Sequence, residues 1–158
     1  LDREYDYIFQ MDADLSHNPS ELIKMKERLE VDADLIIGSR YKNGVNVINW
    51  PLSRILLSYI ASIYVRFITS MPIKDPTSGF VGYKRKVLEV INVNKIRFVG
   101  YAFQIEMKYR AWINEFNLKE ESIIFLNRIH GNSKMDSSII LEAFFGVLFL
   151  RVCKKKTK

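Results

Sequence analysis

The sequence contains a single cysteine, Cys153, among its 158 residues, so an internal disulfide is excluded. One cysteine does not determine the redox compartment of the protein, although the lack of a disulfide favours a reducing one. No secretory signal is visible. The first residue is Leu1 rather than Met, and a core strand follows after only a few polar residues, so we expect the chain to be the later part of a longer protein. The length and a hydrophobic content of 48% allow one domain with its own core.

Excess positive charge is scarce outside the C-terminus. The net charge is +6, and the last eight residues supply +5 of it because they hold no acid and five cations: Arg151, Lys154, Lys155, Lys156 and Lys158. A nucleic-acid-binding surface spreads its cations along a groove or a helix, so we expect no nucleic-acid partner. A basic tail behind an apolar helix suits an anionic membrane surface, and a solvated terminus explains it equally well.

Hydrophobic patterning predicts an α/β domain without internal repeats. Residues 5–11 and 34–39 read as buried strands, and between them Asn18 is expected to cap a helix that has Pro19 in its first turn and ends near Glu30. Such a unit should have parallel strands and a right-handed crossover. Downstream we predict helices at 52–70, 86–91, 101–116 and 138–152, and strands at 80–83 and 121–127.

Neither of the two most apolar helical segments is a convincing membrane span. Residues 52–68 contain Arg54 and Arg66, and residues 139–150 contain Glu142 and fall short of the roughly 20 residues that a span needs. We interpret most of their apolar surface as core, and contact with a membrane interface stays open.

Two acids, Asp12 and Asp14, follow the first predicted strand directly. Open α/β sheets bind ligands at the carboxyl ends of their strands, and paired carboxylates there suit Mg²⁺ or Mn²⁺ carrying a diphosphate. The alternative is a pair of solvated loop acids or a cap for the next helix. The position after a buried strand favours the metal site.

Two groups of basic and hydroxyl residues are candidates for phosphate binding. Arg40 follows the second strand and should emerge at the same sheet edge as Asp14, where it can bind phosphate bidentately; a surface ion pair is the alternative. Arg54 and Ser58 are four residues apart and share one face of an apolar helix, as a lipid-linked phosphate would require. Alternatively, Arg54 extends to solvent.

Three further motifs are less specific. Residues 75–80 form a turn with small polar groups, and an ordinary turn explains them. Glu106 stands among apolar neighbours, so it is either functional or paired with a base such as Lys108 or Arg110. The segment 128–134 is either a phosphate-binding loop or a flexible basic one, and its polar members are Arg128, His130, Ser133 and Lys134.

In this order the motifs resemble the polyprenyl-phosphate glycosyltransferases, among them the dolichol-phosphate mannose synthases, within the family 2, GT-A-fold glycosyltransferases. The resemblance covers about residues 5–150 and is carried by the segments 11–17, 38–41, 75–80, 100–107 and 128–134 together with Arg54 and Ser58. It implies a partial GT-A domain at 1–150, with a mixed sheet flanked by helices, and a basic tail at 151–158. The family's N-terminal stretch, which holds the base and ribose, is absent from this sequence.

The resemblance also implies roles for individual residues. Asp12 and Asp14 would hold the metal and the donor diphosphate, and Arg40, Arg54 and Ser58 would bind the acceptor phosphate. Arg128, Ser133 and Lys134 would form a loop that closes over both substrates. Ser16 replaces an amide that helps the metal in some relatives. The expected catalytic residues are Asp14, Arg40, Glu106 and Arg128.

The implied reaction moves a hexose from GDP-mannose or UDP-glucose to a polyprenyl or dolichyl phosphate at the cytoplasmic face of a membrane, with inversion at the anomeric carbon. Because the acceptor phosphate is already anionic, no strong general base is needed, which fits a sequence with only two histidines. The sequence does not decide between transfer of mannose, transfer of glucose and another family 2 transfer reaction. An inactive fragment that only associates with a membrane is a further alternative.

Overall fold

A computed structural model describes residues 3–127 and 137–152, with the backbone alone for residues 137–140 and 142. Within these ranges the strands are β1 (Tyr7–Gln10), β2 (Leu35–Ser39), β3 (Val47–Ile48), β4 (Val81–Lys84), β5 (Leu118–Ser122) and β6 (Phe125–Leu126). The helices are α1 (Glu21–Val31), α2 (Leu52–Thr69), α3 (Arg85–Ile91), α4 (Gly100–Ile113) and α5 (Ser137–Val152). A 3₁₀ turn, Val93–Lys95, joins α3 to α4.

The main sheet has the strand order β1–β4–β2–β5. β4 is antiparallel to both β1 and β2, and β2 is parallel to β5. β1 and β2 therefore run in the same direction, as predicted, but they are not neighbours because β4 lies between them. Gly82 permits this insertion, since a Cβ there would lie only 2.6 Å from Phe9 Cε1 and 2.8 Å from Ile36 Cγ2.

The sheet is covered on both faces. Successive side chains of a strand point to opposite faces, so Leu35 and Ile37 join a large cluster that also contains residues of α2, α3, α4 and α5. Ile36 points the other way and packs with Met25 and Leu29 of α1. The predicted mixed sheet flanked by helices is confirmed.

The strand predicted at 121–127 is wrong in its bounds. The structure has β5 three residues earlier, and β6 leaves the main sheet to pair with β3 in a separate two-stranded sheet. The reason lies in composition, since Lys119, Glu120, Glu121 and Ser122 make β5 too polar for an apolar pattern to reveal.

The start of α1 agrees with the predicted capping by Asn18, and only the helix bounds begin later. The Asn18 side-chain oxygen accepts a hydrogen bond from the Ser20 N–H at 3.0 Å, and its carbonyl accepts one from the Glu21 N–H at 3.1 Å, so Asn18 caps the turn that contains Pro19. Residues 18–20 therefore form a turn before the helix, which begins at Glu21.

The interpretation of α2 and α5 as mainly core helices is wrong. Only Ser62, Val65 and Thr69 of α2 are buried, and by length and composition α2 is apolar enough to cross a membrane. The two helices contact each other through Tyr64 and Phe144, whose rings stack with centroids 4.8 Å apart. Among the side chains of the two helices that the structure describes, the large exposed apolar ones are Leu52, Leu56, Leu57, Tyr59, Ile60, Ile63, Phe67, Leu141, Phe144, Phe145, Leu148, Phe149 and Val152.

Candidate active site

A cavity of about 350 Å³ lies where the main sheet's edge meets α2 and α5. Its position follows from the topology: because β4 is antiparallel to β1 and β2, the residues before β4 lie beside those that follow the other two strands. Asp12 and Arg40 line this one cavity, at the same end of the sheet. What we call the polar end of the cavity is lined by Asp12, His17, Arg40, Arg54, Ser58 and Thr77.

The opposite part, which we call the apolar end, is lined by Ile60, Ala61, Tyr64, Val65, Ala143 and Phe144. Along α2 the lining runs from Arg54 to Val65, a distance of about 16 Å at 1.5 Å per residue. One continuous space therefore joins a charged region to a hydrocarbon-like one.

The polar end is built around a buried ion pair. Arg40 is 7% exposed and Asp75 is 0% exposed. The Arg40 Nε and Nη2 atoms donate to the two Asp75 carboxylate oxygens at 2.7 Å each, and the Arg40 backbone N–H donates to the same carboxylate at 3.0 Å. Burial raises the pKa of Asp75, but the charge and hydrogen bonds of Arg40 outweigh it and hold that pKa below its ordinary value. The predicted alternative of an ion pair is therefore correct except that the pair is buried, and the expected bidentate contact with phosphate is wrong, because Arg40 Nε and Nη2 already donate to Asp75. Arg40 itself still lines the cavity.

Side chains from other elements fix this pair. Arg40 Nη2 also donates to Thr77 Oγ1 at 2.8 Å. The Glu120 carboxylate of β5 accepts the backbone N–H groups of Lys74 and Asp75 at 2.8 Å each. The segment 74–77 is therefore not an ordinary turn, since it presents Asp75 and Thr77 to Arg40.

Lys108 of α4 is a second cation beneath the same segment. It is 0% exposed, and its ammonium group donates to the Ser78 carbonyl at 2.7 Å and the Gln104 carbonyl at 3.1 Å. Burial lowers the pKa of Lys108 to about 7, with Asp75 opposing and Arg40 reinforcing the shift. Lys108 thus anchors the backbone that leads into β4.

Arg54 and Ser58 lie on the cavity side of α2, as their spacing predicted. The Arg54 guanidinium stands 3.9 Å from the ring centre of Trp50 and donates to Asn127 Oδ1 at 2.9 Å. Ser58 Oγ accepts a hydrogen bond from the Tyr41 hydroxyl at 2.8 Å. Arg54 therefore faces the cavity rather than extending away from it into solvent.

The two early acids have different surroundings. The Asp12 side chain is 51% exposed and lines the cavity. Asp14 lies two residues further on and is not among the residues that line the cavity; its Oδ1 accepts the backbone N–H of Ser16 at 3.1 Å and also the Ser16 hydroxyl. Asp12 thus presents its carboxylate to the cavity, and Ser16 orients the carboxylate of Asp14 in the loop that follows.

These acids fit a divalent ion that is shared with a substrate. Mg²⁺ is typically bound by one or two carboxylates and completed by substrate phosphates and water, so two acids are enough for such an ion. Within the described chain no three His, Cys, Asp or Glu residues gather. Gly79 leaves the necessary room, because a Cβ there would lie 3.3 Å from Asp12 Oδ1.

Glu106, expected as an active-site acid, is placed elsewhere. Its buried carboxylate accepts the backbone N–H groups of Arg97 and Phe98 at 2.9 and 3.1 Å and pairs with Arg110 at 2.7 Å. It does not line the cavity. The geometry gives Glu106 a structural role in holding the segment before α4, which agrees with the ion-pair alternative.

Arg128, Ser133 and Lys134, predicted for a loop that closes over the substrates, lie outside the described residues. So does His130, and so do residues 153–158 of the basic tail.

Three residues of this site were missed or given no role by sequence reasoning. Asp75 stands in a segment that was noted but treated as a turn, and Lys108 was considered only as a partner for Glu106. His17 falls at the end of the segment 11–17, for which sequence predicted a role only for the two acids and Ser16. The sequence carries a signal for Lys108 alone, which stands between Met107 and Tyr109 and so needs a partner if it is buried. His17 and Asp75 have polar or proline neighbours on both sides.

The chain matches a known protein family and is similar to two named enzymes. Residues 4–91 match the family described as glycosyl transferase family 2. A polyprenol monophosphomannose synthase of Mycolicibacterium smegmatis is 44% identical over 147 residues, which are 93% of this chain and 56% of that protein. An undecaprenyl-phosphate mannosyltransferase of Micrococcus luteus is 37% identical over 147 residues, 93% of this chain and 60% of that protein. The chain thus spans less than two thirds of the length of either relative.

Proposed function

The chain belongs to glycosyl transferase family 2, and we propose that its protein transfers a hexose from a nucleoside-diphosphate sugar to a polyprenyl or dolichyl phosphate. Mannose is the proposed sugar because both relatives are named for mannose transfer. GDP-mannose is accordingly the first candidate donor and UDP-glucose the second. The mixed sheet with helices on both faces is consistent with the GT-A fold.

The observation that carries the proposal is the continuity of the cavity. A polyprenyl phosphate has an anionic head and a long apolar chain, and the cavity offers guanidinium groups at one end and apolar side chains at the other. Arg54, with Ser58 beside it, is the proposed binding site for the phosphate head. The chain would leave along α2 past Tyr64 and Phe144.

Asp12 and Asp14 are the proposed holders of a Mg²⁺ or Mn²⁺ ion and, through it, of the donor diphosphate. When bound, such an ion supplies positive charge that stabilises the leaving diphosphate. Arg40 lies at the same end of the cavity. Asp75 compensates the charge of Arg40 and, with Thr77, orients its guanidinium before substrates arrive. Groups oriented in advance in this way stabilise charge in a transition state.

The proposed chemistry requires no strong general base. The attacking atom is an oxygen of the acceptor phosphate, which is anionic at pH 7, so no proton has to be removed from it. The protein must instead bring two anionic groups together, and fixed guanidinium groups reduce their mutual repulsion. In-line attack on the anomeric carbon would invert its configuration.

The protein is proposed to work at a membrane surface, on the cytoplasmic face. The support is the large apolar surface that α2 and α5 expose, together with the cations at the C-terminus. Exposed apolar patches of this kind mark interaction sites, and basic residues near them favour anionic lipid. The acceptor would then enter the cavity from the bilayer.

Replacing Asp14 with Asn in the whole protein tests the proposal. We expect transfer of labelled hexose from the donor into the lipid fraction to be abolished, with the fold unchanged by circular dichroism. Asp6→Asn, at the opposite end of β1, is the matched control and should keep wild-type transfer. Near-normal transfer by Asp14→Asn would remove the metal assignment, and vesicle binding without any transfer by the wild type would favour a module that only associates with membranes.

A further inference from the structure

His17 is a buried side chain without a satisfied role. It is 4% exposed, and neither ring nitrogen has a hydrogen-bond partner among the described residues. Buried polar groups are nearly always hydrogen-bonded, because removing them from water without compensation costs free energy. Both nitrogens are thus unsatisfied in a side chain that lines the polar end of the cavity.

The position of the ring is fixed by its neighbours. It packs against Phe80 with ring centroids 4.8 Å apart and against Phe125 at 4.9 Å. The backbone beside it is held as well, since the Ser16 carbonyl accepts the Leu126 N–H at 3.1 Å. A ring confined in this way cannot turn toward solvent to satisfy its nitrogens.

The nearest carboxylate is the one that faces the cavity. His17 Nε2 lies 3.4 Å from Asp12 Oδ2, a little beyond an ordinary hydrogen bond. Gly79 adjoins the same carboxylate, since a Cβ on Gly79 would lie 3.3 Å from Asp12 Oδ1 and 3.6 Å from Oδ2. His17 and the backbone of Gly79 therefore both limit where the Asp12 carboxylate can lie.

We propose that His17 is a positioning residue for Asp12: its Nε2–H donates to Oδ2 when a divalent cation binds, and so fixes the carboxylate for the ion. The inference rests on the metal site of the proposed function. Groups that orient a metal ligand in this manner typically change metal affinity by 10- to 100-fold when they are removed. Packing alone does not require the two ring nitrogens, since phenylalanine would fill a similar space without burying unsatisfied polar atoms.

The experiment measures Mn²⁺ affinity of the whole protein by the electron paramagnetic resonance signal of free Mn²⁺, with GDP and, separately, UDP present. His17→Phe keeps the ring and removes both nitrogens, and His17→Gln keeps an N–H donor near the Nε2 position. We expect His17→Phe to weaken Mn²⁺ binding at least tenfold and His17→Gln to restore most of it. His17→Phe should also keep or raise the melting temperature, because it removes two unsatisfied polar atoms from the interior.

Two results would overturn the positioning role: wild-type Mn²⁺ affinity in His17→Phe, or equal weakening in His17→Phe and His17→Gln. Asp12→Asn separates this inference from the proposed function. Loss of Mn²⁺ binding in Asp12→Asn with wild-type binding in His17→Phe leaves the metal site in place and rejects only the role of His17. Unchanged binding in Asp12→Asn, or none in the wild type, rejects the metal site itself.

Gly79→Ala perturbs the same carboxylate through a second neighbour. The added methyl would press on the end of the partly exposed Asp12 side chain, which can move by a few tenths of an ångström without disturbing the core. We expect weaker Mn²⁺ binding and an unchanged melting temperature. Wild-type affinity in Gly79→Ala would contradict the idea that the orientation of Asp12 is constrained.

Discussion

The two ends of the cavity are built by different forces. At the polar end, charged groups from separate elements are buried and hydrogen-bonded to one another, as the contacts of Arg40 with Asp75 and Thr77 illustrate. At the apolar end, two helices meet through the Tyr64–Phe144 stack while most of their apolar side chains stay exposed. A fixed end suits an anion that must be held in one geometry, and an adaptable apolar end suits a chain of repeated hydrocarbon units.

This difference implies different sensitivities to substitution. Removing one member of a buried ion pair leaves an uncompensated charge inside the protein. Removing an apolar contact between two exposed helices costs little, because the groups involved are already in contact with water. Substitutions at the polar end should therefore reduce stability strongly as well as binding, whereas those at the apolar end should reduce stability less and act mainly on lipid use.

The largest effect is expected for Asp75→Asn. The variant keeps the shape of the side chain but leaves Arg40 buried without its counter-charge, and loss of one partner from a buried pair costs about 3–5 kcal/mol. The measurement is the free energy of unfolding in urea at pH 7. In the wild type the pair's contribution is complete above the unfolded Asp pKa of about 3.9, and it is lost as the pH falls toward the lowered folded value.

The matched control for Asp75→Asn is Glu121→Gln. Glu121 pairs with Lys42 at 3.5 Å, and both side chains are partly exposed, so the loss should be about 1 kcal/mol or less. Equal losses in the two variants would mean that the polar end is not held by its buried ion pair.

The next effect is a pH dependence that Lys108 contributes. Its folded pKa of about 7 lies well below the ordinary value of 10.5. Between these values the unfolded chain binds a proton on Lys108 that the folded chain lacks, so the free energy of unfolding rises with pH by up to about 1.4 kcal/mol per unit. Lys108→Met should remove this rise between pH 7 and 9.

Urea unfolding of wild type and variant at several pH values measures the difference in slope. Lys24→Met, an exposed lysine of α1 paired with Glu21, controls for the type of substitution and should keep the wild-type slope. A Lys108→Met variant whose stability rises with pH as steeply as the wild type would show that Lys108 keeps its proton in the fold throughout this range.

Structural features that depend on one segment could be predicted from sequence, and those that depend on neighbours across the fold could not. The helices and the early strands follow from periodicity, since their apolar residues recur at helical or strand spacing. The position of β4 between β1 and β2 depends on Gly82, whose missing side chain matters only once Phe9 and Ile36 lie beside it. Pattern within a segment does not reveal such a neighbour.

The site residues divide in the same way, into those with a local pattern and those without one. Asp12, Arg40, Arg54 and Ser58 were predicted because each stands at the end of a strand or on one helix face, and they do line one cavity. Asp75 pairs with Arg40 across 35 positions of sequence. Residues that act by supporting others across such distances carry no local signature.

Arg54→Ala is expected to have a smaller effect on stability and a larger one on substrate use. Arg54 stacks on Trp50 and bonds Asn127, and hydrogen bonds to charged groups contribute about 1.5–3 kcal/mol. If Arg54 binds the acceptor phosphate, the KM for polyprenyl phosphate should rise roughly 10- to 100-fold, with little change in the donor KM. Arg66→Ala, on the same helix but away from this cavity, is the control. A change confined to the donor KM would place Arg54 at the other substrate.

The smallest effect is expected at the apolar end. The Tyr64 hydroxyl donates to the Phe144 carbonyl at 3.0 Å at an exposed site, so Tyr64→Phe should cost about 1 kcal/mol or less and preserve the stack. Tyr64→Ala removes the stack as well, which is worth about 0.5–1.5 kcal/mol more. If the acceptor chain passes this pair, Tyr64→Ala should raise the KM for long polyprenyl phosphates more than for short ones, while Tyr64→Phe and the control Tyr59→Phe keep the wild-type preference. An equal rise for short and long acceptors would place the chain elsewhere, because only a prenyl chain long enough to reach α5 can register the loss of a ring at that end.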